Sequence, residues 1–267
     1  MTTQVFDRIK GDKTLQLLYA LLLLFAILKA WHLNVPLFHD ELGVYGRAFF
    51  YMIDNGPQLL PGGMDHYISR GHPLFFSFFV SSVSLILGGS YIAARAVILV
   101  LSLALLLSSY SLAKEFTSKK WALITATCLS FQPLFFAQST LILPEILLSL
   151  LGSLCLLFYL KKSYLMYFVT ASLLVLTKET SVVIFAGIAL FEWHKNQFKI
   201  SFQLIQTIIK WSLPSVFFLA FLVIQKYQCG YFLYPYHTNL VSFSLGSLAI
   251  RLTLNMVILF LDQGRFI

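Results

Sequence analysis

The stretch PLFFSFFVSSVSLILGGS, residues 73–90, is apolar enough to read as a membrane crossing, and whether it crosses decides the sidedness of everything after it. If it crosses, Lys114, Lys119, Lys120, the pair Lys161 and Lys162, and the loop with Lys195 and Lys199 lie opposite the basic N-terminus of Arg8, Lys10 and Lys13. The positive-inside rule then fails three times. If the run instead lies on the outer surface, as a juxtamembrane helix or shallow re-entrant segment, every one of those clusters joins the N-terminus in the cytoplasm. The second arrangement is expected. The Ser and Phe content of the run suits an interfacial helix packed on protein, and Gly88-Gly89-Ser90 separates it from the next apolar segment.

Outward from that stretch, further apolar runs cover residues 15–33, 91–113, 121–137, 142–160, 163–177, 180–193, 208–226 and 246–261. The chain has 267 residues, 58% hydrophobic and 11% charged, with a mean hydropathy of +0.81, which excludes a soluble enzyme, a disordered tail and a disulfide scaffold. The expected fold is all-α: a polytopic transmembrane helical bundle of about eight spans with both ends inside. Residues 1–267 form a single integral membrane domain with no separate soluble domain. Residues 1–14 are its cytoplasmic N-terminus, and 34–90 are a long first outer loop carrying juxtamembrane helices and the catalytic groups. The run at 15–33 reads as an uncleaved signal anchor, since Lys29-Ala30-Trp31-His32 has no small-residue cleavage site.

The net charge of +8 reports orientation in such a chain and not nucleic-acid binding. Cys128, Cys155 and Cys229 suggest neither a disulfide framework nor a metal site. No charge is expected near the middle of a span, with Lys29, Arg95, Glu145 and Arg251 towards outer ends and Glu192 towards an inner one, which speaks against an ion or proton path. Residues 163–193 leave only 31 residues for two legs and a turn, so Thr177-Lys178-Glu179-Thr180 is expected in a recess below the outer surface.

Several residues on that outer side are candidates for chemistry. Asp40 and Glu41 follow the first span in Phe38-His39-Asp40-Glu41-Leu42-Gly43-Val44-Tyr45-Gly46-Arg47. A carboxylate beside apolar neighbours at the interface is placed to take a proton from a hydroxyl, and the alternative is an ordinary solvated loop acid. Glu41 either orients Asp40 or is a second solvated acid. Arg70 and His72 begin the 73–90 segment and suit a lipid phosphate, or anchor it to headgroups. Lys178 serves a phosphate or neutralises Glu179. Glu145 binds substrate or caps a helix N-terminus. Arg47, Tyr234 and His237 join the candidate set, the last two in an aromatic stretch suited to a sugar ring or to an interfacial belt. No nucleotide-binding loop is present.

Together these features resemble the C-type glycosyltransferases of the protein O-mannosyltransferase and aminoarabinose transferase superfamily. The resemblance rests on the acidic pair Asp40-Glu41, on Gly71-His72-Pro73-Leu74 opening a juxtamembrane helix, and on Arg95 opening the next span. It continues through the stretch from Phe131-Gln132-Pro133 to Leu143-Pro144-Glu145 and through Leu176-Thr177-Lys178-Glu179. Thr140 and Glu145 depart from the family's more usual Arg and Asp, so mannose is not implied. Members are generally longer, so this chain is expected to be a C-terminally short one. The resemblance implies a hexosyl- or pentosyltransferase of the plasma or inner membrane. It moves a sugar, with inversion, from a polyprenyl-phosphate carrier to a lipid, glycan or protein hydroxyl on the outer face, with Asp40 as base. Membrane lipids are partners and nucleic acid is not. No cofactor is assigned, and a divalent metal is left open. The other readings are a non-catalytic membrane subunit or lipid-binding scaffold of the same fold, and a lipid or solute transporter.

Overall fold

The computed structural model describes residues 12–38, 40–236 and 245–260, and among them every regular element is a helix. Helix α1 (Lys13–Ala30) is started by Asp12, whose carboxylate accepts from the amides of Thr14 at 3.0 Å and Leu15 at 3.4 Å. That is the N-cap arrangement that satisfies otherwise unpaired donors of a first turn. A π-helical turn, Glu41–Tyr45, leads into α2 (Gly46–Asn55), and a single helical turn, His66–Ser69, precedes α3 (Phe75–Ile86). Gly88 and Gly89, at φ of 96° and 70°, reverse the chain in a conformation that side chains with a Cβ avoid. Ser90 then caps α4 (Tyr91–Ala113) through the amide of Ala93.

Further along the chain come α5 (Lys119–Phe131), α6 (Pro133–Gln138), α7 (Glu145–Leu160), α8 (Tyr164–Thr177), α9 (Val183–Lys195), α10 (Phe202–Ser212) and α11 (Ser215–Cys229). The 121–137 run is divided where Pro133 offers no amide to continue α5. The Gln132 side chain caps the new helix through the amide of Phe135 at 2.6 Å. The 208–226 run is likewise divided at Pro214, where α10 and α11 meet at 57°. Residues up to Gly230 form one compact unit. In the second unit, from Tyr231, the described parts are the segment with Tyr231 and Tyr234 and helix α12 (Leu245–Phe260).

Contacts at helix ends fix directions within the first unit. Lys119, at the start of α5, pairs with Asp12 at 2.6 Å, and Lys29 near the end of α1 donates to the Phe136 carbonyl at 2.8 Å. Helices α1 and α5–α6 are therefore parallel. The Tyr91 hydroxyl donates to Asn34 Oδ1 at 2.8 Å, so α4 begins where α1 finishes. The chain thus leaves α1 and enters α4 at one end of the bundle, and α3 starts and finishes at that end. Its 12 residues reach only about 18 Å.

Lys161 and Glu115, 3.5 Å apart, bring the ends of α7 and α4 together, while Lys178 and Glu145 bring the end of α8 to the start of α7. Gln228, near the end of α11, accepts from the Gly62 amide in the first loop. Helices α4, α7 and α9 accordingly run against α1, α5–α6, α8 and α11.

The core between them is apolar, with Phe25 stacked on Phe135 at 5.5 Å. Buried serines let helices approach closely: Ser102 donates to the carbonyls of Ile98 and Ser139, both at 2.9 Å. Outward-facing positions are just as apolar. Leu17, Leu23, Ile27, Val100, Leu219 and Val223 are all exposed, an outer surface that water would not tolerate over such an extent. Among the described residues, α1 and α4 are each long and apolar enough to cross a membrane, and a third span results if the bent pair α10 and α11 is counted as one. Helices α3, α7 and α8 are apolar but shorter.

Candidate functional site

At the end of the bundle where α1 finishes, four of the candidate residues, Glu41, His72, Glu145 and Lys178, fall into two linked groups. The first is a fully buried ion pair. Arg95, in the second turn of α4, donates from Nη2 to Glu41 Oε2 at 2.7 Å and from Nε to Oε1 at 3.2 Å. Glu41 also accepts from the amides of Ile142 at 2.8 Å and Phe38 at 3.2 Å. Arg95 spends its remaining donors on the carbonyls of Leu33, Val35 and Pro36. Both side chains are essentially inaccessible, at 1% and 0% exposure.

A buried charge pair of this kind is tolerated because each polar atom is satisfied. It ties the segment after α1 to α4 and to the turn before α7. Of the two expectations for Glu41, a residue that orients Asp40 or a second solvated acid, the structure overturns the solvated one. The two Glu41 oxygens are committed to four hydrogen bonds out of reach of solvent. Asp40, one residue earlier at the N-cap of the π-turn, is exposed.

The second group begins four residues after Glu41, at the other end of the same π-turn, a helix form frequently found at functional sites. The ring of Tyr45 stacks on His72, 6.2 Å between centroids and 25° between planes. His72 Nδ1 donates to Glu179 at 3.0 Å, and Lys178 donates to Glu145 at 2.9 Å. Lys178 therefore pairs across to α7 and not with its neighbour Glu179. Glu145 does stand in the first turn of α7, where its charge suits the helix, but its side chain turns to Lys178. Its second oxygen, Oε2, is buried with no hydrogen-bond partner among the described residues. An acceptor left in that condition is costly unless something else supplies a donor.

The chain matches no known family model, no curated protein and no solved structure.

The remaining candidates are spread more widely. Arg70 adopts a left-handed conformation with φ of 50° just before Gly71 and His72, and its guanidinium has no hydrogen bond or ion pair among the described residues. Arg47 donates back to the Leu42 carbonyl at 3.2 Å on the exposed side of α2. Tyr234 belongs to the second unit, edge-on to Tyr231, and His237 lies outside the described residues. No group of three or more His, Cys, Asp or Glu side chains is arranged to hold a metal among the described residues. Tyr45 was not singled out from the sequence, although its place one helical turn after Asp40-Glu41 was the available signal.

The electrostatics of the second group follow from this packing. Burial works against the charge of Glu179, but the hydrogen bond and charge of His72, with help from Lys178, outweigh it and hold the carboxyl below its ordinary 4.5. Burial likewise opposes the Lys178 ammonium, and the hydrogen bond to Glu145 together with Tyr45 and Glu179 carries it above its ordinary 10.5. Tyr45 is pushed up to about 12, chiefly by burial.

A depressed carboxyl stabilises the fold above its unfolded pKa and loses that contribution as pH falls through the folded value. A raised lysine contributes below 10.5 and fades as pH rises beyond it. Thermal stability of the detergent-solubilised chain is therefore expected to fall as pH drops below 4.5, and Glu179→Gln should flatten that acid limb. Superimposable acid limbs in wild type and Glu179→Gln would remove the His72–Glu179 pair from any such role.

Proposed function

We propose that the chain is a multi-pass membrane glycosyltransferase that moves a sugar from a polyprenyl-phosphate carrier to an acceptor hydroxyl on the outer face. The reading combines the resemblance given above with one structural observation. The single π-turn Glu41–Tyr45 links an exposed Asp40, next to the buried Glu41–Arg95 pair, to a cluster of cationic and hydrogen-bonding groups at the same end of the bundle. In this mechanism the Asp40 carboxylate draws the proton from the acceptor hydroxyl, and that oxygen attacks the anomeric carbon from the face opposite the carrier. The carbon–oxygen bond to the carrier breaks, and the departing lipid phosphate keeps the electron pair. Arg70, without a partner among the described residues, and Lys178 are the cations offered to it. Glu145 Oε2 is the acceptor offered to a sugar hydroxyl.

In the bilayer, seven traversals by α1, α4, α5–α6, α7, α8, α9 and α11 together with α12 make about eight crossings, short helices being accommodated by local thinning. Lys119, Lys161 and Lys195 then share the cytoplasmic side, and Asp40, His72 and Lys178 face outward. Engineered cysteines test the sidedness. In intact cells a membrane-impermeant maleimide is expected to label Asp65→Cys and not Ser118→Cys or Gln197→Cys. Labelling at 118 from outside would invert the assignment. The catalytic reading is tested by incubating the purified chain with a panel of labelled polyprenyl-phosphate sugars and membrane extract as acceptor. Release of polyprenyl phosphate with label transferred is expected. Turnover of none of the panel favours the scaffold reading.

A further inference from the structure

The end of the bundle away from Tyr45 holds a second constellation, built from residues with no part in sugar transfer. The turn from α7 to α8 brings Lys162, α9 brings Glu192 and Lys195, and α10 brings Thr207, Lys210 and Trp211. Between them lies a cavity of about 480 Å³. Three ammonium groups face one carboxylate there, and that carboxylate is already engaged. Glu192 accepts from the Tyr159 hydroxyl and from Lys195 at 3.1 Å. Lys210 rests over the ring of Tyr164 at 5.0 Å and of Trp211 at 5.6 Å, held by the rings without being neutralised. Lys162, in a left-handed turn with φ of 53°, is exposed and has no ion pair or hydrogen bond from its side chain among the described residues. The cavity therefore carries an uncompensated positive charge.

Tyr159, Leu160 and Phe191 belong to the wall of this cavity and also to that of a second one, a groove of about 330 Å³. Beyond those shared residues the groove is lined by Leu112, Phe116, Leu156, Ile184 and Ile188, on α4, α7 and α9 and the turn after α4. Gly187 sits exposed at its edge, and a Cβ added there would meet nothing within 4 Å. The two halves demand opposite chemistry from one occupant. A soluble anion would leave the groove empty, and a neutral lipid would leave the ammonium groups without a counter-charge. An amphiphile with an anionic head and an apolar chain satisfies both.

We propose that this is a binding site for a membrane lipid whose phosphate headgroup carries net negative charge, located on the side of the basic loops. Its chain lies in the groove between α7 and α9, and its phosphate sits among Lys162, Lys195 and Lys210. The inference rests on the membrane reading and not on glycosyl transfer, so a chain inactive with every carrier sugar leaves it standing.

The test is equilibrium binding of radiolabelled phosphatidic acid to the full chain in neutral detergent, with phosphatidylcholine and glycerol 3-phosphate for comparison. Phosphatidic acid is expected to bind at least about tenfold tighter than phosphatidylcholine, as direct charge-assisted contacts require. Glycerol 3-phosphate should not displace it at concentrations where the lipid saturates. Lys162→Gln with Lys210→Gln should weaken binding about tenfold or more, and Lys162→Arg with Lys210→Arg should restore it. Gly187→Leu fills the groove and should weaken binding to a similar degree. It removes a helix-weakening glycine and meets open space, so it tests occupancy without threatening the fold. Unchanged binding in either the glutamine pair or Gly187→Leu overturns the proposal. So does phosphatidylcholine binding as tightly as phosphatidic acid. Displacement by glycerol 3-phosphate as effective as by lipid would make this a soluble-anion site and overturn the lipid assignment.

Discussion

Glu41→Ala is expected to destabilise the chain by about 3–5 kcal/mol, the cost of leaving a buried guanidinium without its counter-charge. Arg95 is 1% exposed and cannot reach water without opening the junction between α4 and the segment after α1. Its other donors still hold the carbonyls of Leu33, Val35 and Pro36, so the guanidinium stays buried when the carboxylate is removed. The amides of Phe38 and Ile142 lose their acceptor in the same change. Arg95→Met should cost as much, because it strands the Glu41 carboxylate and three carbonyls together. The double variant Glu41→Gln with Arg95→Met should recover part of the loss, since no net charge then remains buried, but not the carbonyl contacts. Equilibrium unfolding in mixed micelles measures all four states. A loss below about 1 kcal/mol in Glu41→Ala would mean that the pair does not hold the junction.

That pair also marks where the sequence stopped being legible. Glu41 and Arg95 lie 54 positions apart, and no periodicity or spacing connects a residue after one span with a residue inside another. The apolar runs were legible because each is a local property: 91–113 is α4 to the residue, and the short legs around Lys178 are α8 and α9 with the turn between them. Charge carried the expectation for 73–90, and within the helical unit it is met at one point, where Lys119 at the start of α5 sits beside Asp12.

Of the two readings of Lys178, neutralisation of Glu179 is the one that its hydrogen bonding does not follow. Glu179 follows Lys178 directly, which suggested that they neutralise one another, but the chain passes there from α8 through an extended residue into a 3-10 turn. Successive side chains diverge at such a break, so Lys178 reaches Glu145 on α7 and Glu179 reaches His72 on the first loop. The break at Pro214 lies inside the apolar run 208–226, which joins the last part of α10 to most of α11, because hydropathy is uniform across it.

Asp40→Asn is expected to lower sugar transfer by about two to four orders of magnitude while leaving the folded protein at normal levels. The amide keeps the size of the carboxylate and removes its basicity, and the Asp40 side chain makes no capping hydrogen bond to the π-turn it precedes. Glu41→Gln should behave in the opposite manner. It keeps the shape of the buried pair but removes its charge, so it should cost stability first, and turnover per folded molecule should stay within a few-fold of wild type. The contrast separates two adjacent carboxylates by role, since one is exposed at the start of the π-turn and the other is enclosed with all its hydrogen bonds made. Both quantities must be read on the same preparations: transfer from the labelled carrier that wild type accepts, and the midpoint of thermal unfolding. If Asp40→Asn transfers within a few-fold of wild type, the base lies elsewhere. If Asp40→Asn is instead inactive because it unfolds, while Glu41→Gln remains as stable as wild type, the two roles are exchanged and the buried pair is not what positions the π-turn.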